Sequence, residues 1–197
     1  MSYVLGLTGP TGAGKSIFAQ CAAQRGFKVI DCDISARKAV EKGTKGLAAL
    51  VSVFGGGILK KSGELDRGKL ARIAFSSREK TELLNKTLLP HICKIVKSEI
   101  SGDFVLLDAP TLFESGMNGV CNATAAVIAP IELRKARIIE RDGLSGDEAD
   151  MRINAGKPDE FYYENANRVF INGNDIDSFK KSVNIYLDDI IGGNPDE

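Results

Sequence analysis

GPTGAGKS, residues 9–16, is the stretch that decides the fold class of this chain. The apolar run YVLGLT at residues 3–8 precedes it, and residues 17–25 after it have helical composition. The spacing G-x-x-x-x-G-K-S between a strand and a helix is typical of a loop whose backbone N–H groups surround a phosphate. A glycine-rich turn without a ligand is the alternative, but both flanks match the context that a phosphate-binding loop requires.

This loop predicts a nucleoside triphosphate and a magnesium ion as ligands. The expected nucleotide-binding positions are Gly9, Thr11, Gly12, Ala13, Gly14, Lys15, Ser16 and Ile17. Lys15 would reach the β- and γ-phosphates, and the hydroxyl of Ser16 would bind the metal. Asp108 closes the apolar run FVLLD, from where its carboxylate can hold the same metal directly or through water. Its alternative role is to cap the next turn.

Further apolar runs indicate an α/β fold. The candidate strands are residues 3–8, 27–31, 104–108 and 124–128, with a weaker run at 168–171. Helical patterns separate these runs, and such an order is typical of a parallel sheet with helices on both faces. The sequence therefore predicts one three-layer domain over residues 1–197, built on a five-stranded parallel sheet.

The long interval between the second and third strands, about residues 34–103, predicts a mostly helical insertion over one end of the sheet. Ser76 and Glu79 have the spacing of a capping box, which predicts a helix start. Pro90 is expected in the first turn of a later helix.

Two more helices are predicted in the C-terminal half. The basic stretch 134–141 is followed by Ser145 and Glu148, whose spacing is that of a second capping box. From Ile176 onward, apolar residues recur at helical spacing and indicate a terminal amphipathic helix. The last six residues are expected to fray.

Asp31 and Asp33 flank Cys32 at the end of the second strand. The carboxyl ends of parallel strands line the ligand crevice of such folds. Asp33 lies further beyond the strand, so it is the better candidate to accept the proton of an alcohol and orient its oxygen for attack. The alternative is that the acidic pair caps the following helix.

Arg134, Arg137 and Arg141 are spaced three and four residues apart, which places them near one another on a helix. On a mobile segment they could close over a triphosphate and stabilise the charge during transfer. A solvated basic face is an equal alternative.

The composition excludes several classes of protein. The 197 residues carry 26 basic and 26 acidic side chains, so no overall field favours nucleic acid or a membrane surface as a partner. The four cysteines lie far apart without a C-x-x-C pair, which argues against a structural zinc site and a disulfide framework. No stretch approaches the roughly 20 apolar residues of a membrane span. We expect a cytoplasmic protein, and its oligomeric state stays open.

Taken together, these motifs resemble the dephospho-CoA kinase family over residues 3 to about 175. The resemblance is carried by LTGPTGAGKS at 7–16, VIDCDISAR at 29–37, GELDR at 63–67, DAPTLFE at 108–114, RDGLS at 141–145, Arg152-Ile153 and Asn172. The phosphate loop alone is shared by a very large superfamily, whereas this ordered set is far more specific.

The resemblance implies a P-loop kinase that uses ATP and Mg²⁺ to phosphorylate the ribose 3′-hydroxyl of dephospho-coenzyme A, the last step of coenzyme A synthesis. It also implies that residues 34–103 bind the acceptor and that about 131–160 form a lid. The expected catalytic residues are Asp33, Lys15 and Arg141. The expected acceptor-binding residues are Asp33, Arg37, Asp108, Leu112 and Glu114. The chain has Leu89 where the family commonly has histidine, and Gly156 where glutamine is usual.

Two other functions stay open at this point. Another P-loop kinase of a small alcohol, such as shikimate kinase, also has Asp-x-Asp after its second strand and a triple-glycine turn. Residues 55–57 are such a turn, but it leads into ILKKSGELDR, which suits dephospho-CoA kinase better. The second is an ATP-binding regulatory switch. A guanine-specific switch is disfavoured, because Asn85-Lys86-Thr87 is followed by Leu88 rather than by aspartate.

Overall fold

A computed structural model describes residues 2–173 and 175–193 of the chain. The strands are β1 (Tyr3–Thr8), β2 (Lys28–Asp31), β3 (Phe104–Asp108), β4 (Ala123–Ile128) and β5 (Arg168–Ile171). The helices are α1 (Lys15–Gln24), α2 (Cys32–Ala39), α3 (Lys45–Phe54), α4 (Arg67–Ala74), α5 (Arg78–Glu99), α6 (Ile131–Asp142), α7 (Gly146–Asn154), α8 (Asp159–Asn165) and α9 (Ile176–Gly192). Short 3₁₀ helices lie at Gly56–Ile58 and Met117–Val120.

All five strands are parallel and lie in the order β2-β3-β1-β4-β5. β1 is central, with Tyr3 opposite Phe104 of β3 and Leu5 opposite Ala123 of β4. Because the strands are parallel, the loops that follow β1, β2 and β3 leave the sheet at the same edge. The predicted sheet is confirmed, and only β2 and β4 begin at a different residue from the one expected.

Both faces of the sheet are covered, as predicted. Side chains alternate along a strand, so Leu106 of β3 packs with α1 and α9, while Val105 and Leu107 face the opposite side. Phe18 of α1 and Leu187 of α9 are fully buried on the first side. The C-terminal half of α5 and helix α8 cover the second side.

The helices α2 to α5 occupy the interval that was predicted to be a helical insertion, although α2 already begins at Cys32. They enclose a small core of their own, which includes Leu50, Ile58 and Leu70. Helix α5 belongs to both cores, because Leu88 packs against this cluster and Val96 packs against the sheet. One long helix therefore fixes the insertion to the sheet.

The start of α5 corrects the first capping-box prediction. Ser77 is the N-cap, and its hydroxyl accepts a hydrogen bond from the N–H of Lys80 at 3.3 Å. The hydroxyl of Ser76 instead donates to the carbonyl of Ile73 at the end of α4 (2.8 Å). Two adjacent serines offer two possible caps, and the end of the preceding helix decides between them.

The position of Pro90 is also different from the prediction, because it lies inside the 22-residue helix α5. Proline has no N–H for the carbonyl four residues earlier, and costs about 3 kcal/mol in a helix interior. Leu88 and Ile92, on either side of it, pack against the insertion core and the sheet core respectively. Tertiary packing therefore outweighs the local preference for a break.

The two C-terminal helix predictions are confirmed. Ser145 and Glu148 form a reciprocal capping box at the start of α7. The buried face of α9 carries Phe179, Val183, Tyr186, Leu187 and Ile190. The predicted fraying falls mostly on residues 194–197, which lie outside the described residues. Within residues 2–173 and 175–193, no helix combines the length and the apolar character needed to cross a bilayer.

Candidate active site

The phosphate loop, residues 9–16, connects β1 to α1. Gly12 and Gly14 have φ angles of 77° and 96°, a backbone region that favours glycine. A Cβ at Gly12 would lie 2.7 Å from the carbonyl oxygen of Arg134, and one at Gly14 would overlap the side-chain amide of Asn172. Both glycines are therefore required by conformation and by close packing.

Three side chains hold successive carbonyl groups of this loop. Arg134 Nε donates to Thr11 at 3.0 Å, Arg137 Nη1 to Gly12 at 3.3 Å, and Asn172 Nδ2 to Ala13 at 2.8 Å. Arg134 and Asn172 are only 3% and 1% exposed. The first N–H groups of α1 have no acceptor within the helix. With its carbonyls bound from behind, the loop can offer these N–H groups to an anion.

Lys15 is held across the loop, because its ammonium donates to the carbonyl of Gly9 at 2.9 Å. Burial lowers the pKa of Lys15, while the nearby carboxylates of Asp108 and Asp33 oppose this effect. A charge in such partly dehydrated surroundings interacts more strongly with phosphate oxygens than an exposed one would.

The two acids at the end of β2 have different surroundings. Asp31 is the N-cap of α2, and its Oδ1 accepts from the N–H groups of Asp33 and Ile34 at 2.8 and 3.1 Å. Asp33 lies exposed in the first turn, and its carboxylate makes no hydrogen bond or ion pair within the described residues. Its charge acts on Lys15 and Asp108. Asp31 therefore caps the helix, whereas the Asp33 carboxylate stays exposed within electrostatic range of Lys15 and Asp108.

Asp108 ends β3 opposite Asp31. Its Oδ1 is buried and has no hydrogen-bond partner within residues 2–173 and 175–193. Burial raises the pKa of Asp108; the charge of Lys15 opposes the rise, and Asp31 and Asp33 add to it. Such a carboxylate needs a further positive charge or a donor.

A cavity of about 650 Å³ opens beside these groups, a size that suits a nucleotide. Loop residues 12 and 14–17 line it, together with Asp108, Arg137, Glu140 and Arg141. Among the predicted nucleotide-binding positions, Gly9, Thr11 and Ala13 do not line it, and the Ala13 side chain is fully buried.

The donor set fits a magnesium ion that is shared with phosphates. Ser16 and Asp108 line the same cavity, and Asp108 Oδ1 is a buried carboxylate oxygen without a donor. In the part of the chain that the structure describes, no three His, Cys, Asp or Glu side chains are grouped to enclose a metal. Magnesium commonly takes one or two protein ligands and completes its shell with phosphates and water.

The three arginines of α6 have different surroundings. Arg134 is buried beneath the loop, so the alternative of a solvated basic face is wrong for this residue. Arg137 also lies within 3.5 Å of acceptors on Asn172 and Gly173. Arg141 lines the cavity and pairs with Asp142 at 2.7 Å. Helical spacing places three arginines together but does not reveal what each one contacts.

The support given by Asn172 was not predicted from the residues. This asparagine directly follows β5, and its N–H donates to the carbonyl of Ile128 at 2.8 Å. Its side chain is thereby fixed beside Ala13. A buried polar residue at the carboxyl end of a strand next to the phosphate loop is the signal that points to such a role.

The expected acceptor-binding residues differ in their surroundings. Arg37 is exposed on α2 and lines a cavity of about 450 Å³ with Lys42 and Arg67. Leu112 is fully buried against the sheet, so its side chain is a core residue, contrary to the prediction. Glu114 is half-buried, and its Oε2 has no partner within the described residues.

Comparison with known proteins agrees with this geometry. The family model of dephospho-CoA kinase matches residues 3–178. A curated dephospho-CoA kinase of Enterococcus faecalis is 36% identical and covers 98% of this chain and 99% of its own.

Solved structures give the same relationship. TT1252 from Thermus thermophilus has a TM-score of 0.78 at 30% identity and covers 96% of this chain and 98% of its own. A dephospho-CoA kinase from Campylobacter jejuni has a TM-score of 0.65 at 28% identity, with 98% and 100% covered. A shikimate kinase from Acinetobacter baumannii, at 14% identity and a TM-score of 0.56, covers 100% of this chain and 97% of its own, and shares the fold alone. The phosphate loop, the parallel sheet and these full-length matches together show that the chain belongs to the dephospho-CoA kinase family.

Proposed function

We propose that this protein transfers the γ-phosphoryl group of ATP to the ribose 3′-hydroxyl of dephospho-coenzyme A, giving coenzyme A and ADP. The observation that carries the proposal is the group of Lys15, Asp33 and Asp108, whose charges act on one another at the sheet edge beside the phosphate loop. Family membership selects dephospho-coenzyme A as the acceptor.

In this mechanism, the loop amides and Lys15 bind the β- and γ-phosphates. Ser16 and Asp108 would hold magnesium, which supplies charge neutralisation on these phosphates when it is bound. The Asp33 carboxylate accepts the proton of the 3′-hydroxyl and passes it to solvent. The bond from the 3′-oxygen to the γ-phosphorus forms as the bond from that phosphorus to the ADP oxygen breaks.

Roles can also be proposed for the residues that lie farther from the phosphate loop. We propose that residues 34–103 bind the acceptor, with the basic cavity at Arg37 suited to its diphosphate. We propose that residues 131–160 form a lid, in which Arg141 exchanges its ion pair with Asp142 for the transferring phosphoryl group. Glu114 would contact the acceptor through its unpartnered oxygen.

We also propose that the protein acts in the cytoplasm. All four cysteines are free, and Cys21 and Cys32 are buried. Free thiols support a reducing compartment, in which disulfides are rare.

The activity is tested by following ADP release with ATP and magnesium and with several acceptors. We expect stimulation by dephospho-coenzyme A and none by shikimate or adenosine, with coenzyme A as the product. ADP release that is the same with and without every acceptor would contradict the proposal and favour a regulatory switch. Stimulation by shikimate alone would favour the other alcohol-kinase alternative.

The division between the two acids gives a matched pair of variants. Asp33→Asn should lower kcat by about 10²- to 10⁴-fold and leave ATP affinity nearly unchanged, because a general base contributes on this scale and acts on the acceptor. Asp31→Asn should instead keep turnover and stability close to those of the wild type, because asparagine caps a helix start as well as aspartate does. Turnover measurements and thermal melts of both proteins distinguish the roles. Wild-type turnover in the Asp33 variant would remove this residue from the mechanism.

The lowered pKa of Lys15 predicts a pH dependence of ATP binding. The ammonium of the free protein loses its proton below the ordinary value of 10.5, whereas bound phosphates favour the charged form. Affinity should therefore fall as pH rises through the lowered pKa, and binding there should take up a proton. Titration calorimetry in buffers of different ionisation enthalpy measures this uptake.

Lys15→Arg is the control for this titration, because its guanidinium stays charged. Its ATP affinity should be independent of pH over the same range. Equal pH profiles for the wild type and the arginine variant would contradict the role of Lys15.

A further inference from the structure

A separate cavity of about 390 Å³ lies where the start of α6 meets the connection between α7 and α8. Arg134 and Asp159 line it, and it shares no lining residue with the nucleotide cavity. Arg134 connects the two sites, because its Nε donates to the carbonyl of Thr11 in the phosphate loop.

Beside this cavity, Arg134 and Asp159 form an ion pair in which one buried donor and one buried acceptor make no hydrogen bond. Arg134 is 3% exposed, and its Nη2 makes no hydrogen bond within the described residues. Asp159 Oδ1 is also buried and lies 3.6 Å from Arg134 Nη1, which is too long for a hydrogen bond. Buried polar groups in native proteins normally have partners, so a ligand with both a donor and an acceptor fits this cavity.

The charges and walls of the cavity restrict that ligand further. The positive charges of Arg134 and Lys157 are balanced by Asp159 and Glu160, so no net field selects an anion. Ile131, Ile153 and Pro158 supply apolar surface. A neutral aliphatic chain that carries amide groups has the matching chemistry.

The cavity also lies close to an expected acceptor residue. Burial raises the pKa of Tyr162 on α8 to about 12, with contributions from Glu114 and Asp159 that raise it and from Arg134 that lowers it. Phe113, next to Glu114, packs edge-on against Phe161 at 6.0 Å. The loop after β3 therefore packs against α8, whose first residues, Asp159 and Glu160, line the cavity.

We propose that this cavity binds the pantetheine arm of dephospho-coenzyme A, with an amide carbonyl accepting from Arg134 Nη2 and an amide N–H donating to Asp159 Oδ1. The inference rests on the proposed function and assigns the acceptor specificity to residues outside the phosphate-transfer site. An acceptor without this arm would leave both groups unpaired.

The test fills the cavity without touching the transfer site. Asn154 lines the cavity and is exposed at the end of α7, so Asn154→Trp should fold and block the arm. We expect KM for dephospho-coenzyme A to rise about tenfold or more, with KM for ATP and kcat nearly unchanged. Isolated pantetheine should inhibit the wild type and lose this effect in the variant.

Met151→Trp is the matched control, because Met151 lies on the same helix, is 66% exposed and does not line the cavity. It should leave KM for dephospho-coenzyme A unchanged. An unchanged KM for dephospho-coenzyme A in Asn154→Trp, or an equal rise of this KM in Met151→Trp, would overturn the inference. The cavity would then hold only water. A wild-type protein that does not phosphorylate dephospho-coenzyme A would instead contradict the proposed function.

Discussion

The hydrogen bonds that hold the carbonyl groups of the phosphate loop are the constraint on which the site depends. A glycine-rich loop has many accessible conformations, and a phosphate site needs one of them. Here Arg134, Arg137 and Asn172, which come from α6 and from the end of β5, bind three successive carbonyls. The loop is thereby organised before any ligand arrives, so less ordering remains to oppose binding.

The parallel sheet brings the remaining groups to this loop. Because β1, β2 and β3 end at one edge, Asp108 and the start of α2 lie beside Lys15. Burying these charged groups costs free energy, because burial lowers the pKa of Lys15 and raises that of Asp108. Their opposite charges offset part of this cost, and ATP with magnesium would offset more of it. Titratable groups with shifted pKa values are common at catalytic sites.

Much of this arrangement could be predicted from the sequence, because periodicity and motif spacing are local properties. Local patterns predict the five strands, the helical interval, the capping box at Ser145 and the position of Asp33 beyond β2. The sequence did not predict the continuation of α5 through Pro90 or the burial of Leu112, because both depend on packing against distant segments. The role of Arg134 was missed for the same reason. Its partners, Thr11 and Asp159, lie far from it in the chain.

The most direct test of the account is the ATP affinity of Asn172→Ala, measured by titration calorimetry beside Asn167→Ala. Both asparagines flank β5, but Asn167 bonds to Thr124 at the opposite end of the strand. Loss of either set of hydrogen bonds should lower stability by about 1–3 kcal/mol. The account predicts that only the Asn172 variant binds ATP at least about tenfold more weakly, a loss of about 1.4 kcal/mol. Wild-type affinity in that variant, or an equal loss in the Asn167 variant, would contradict it.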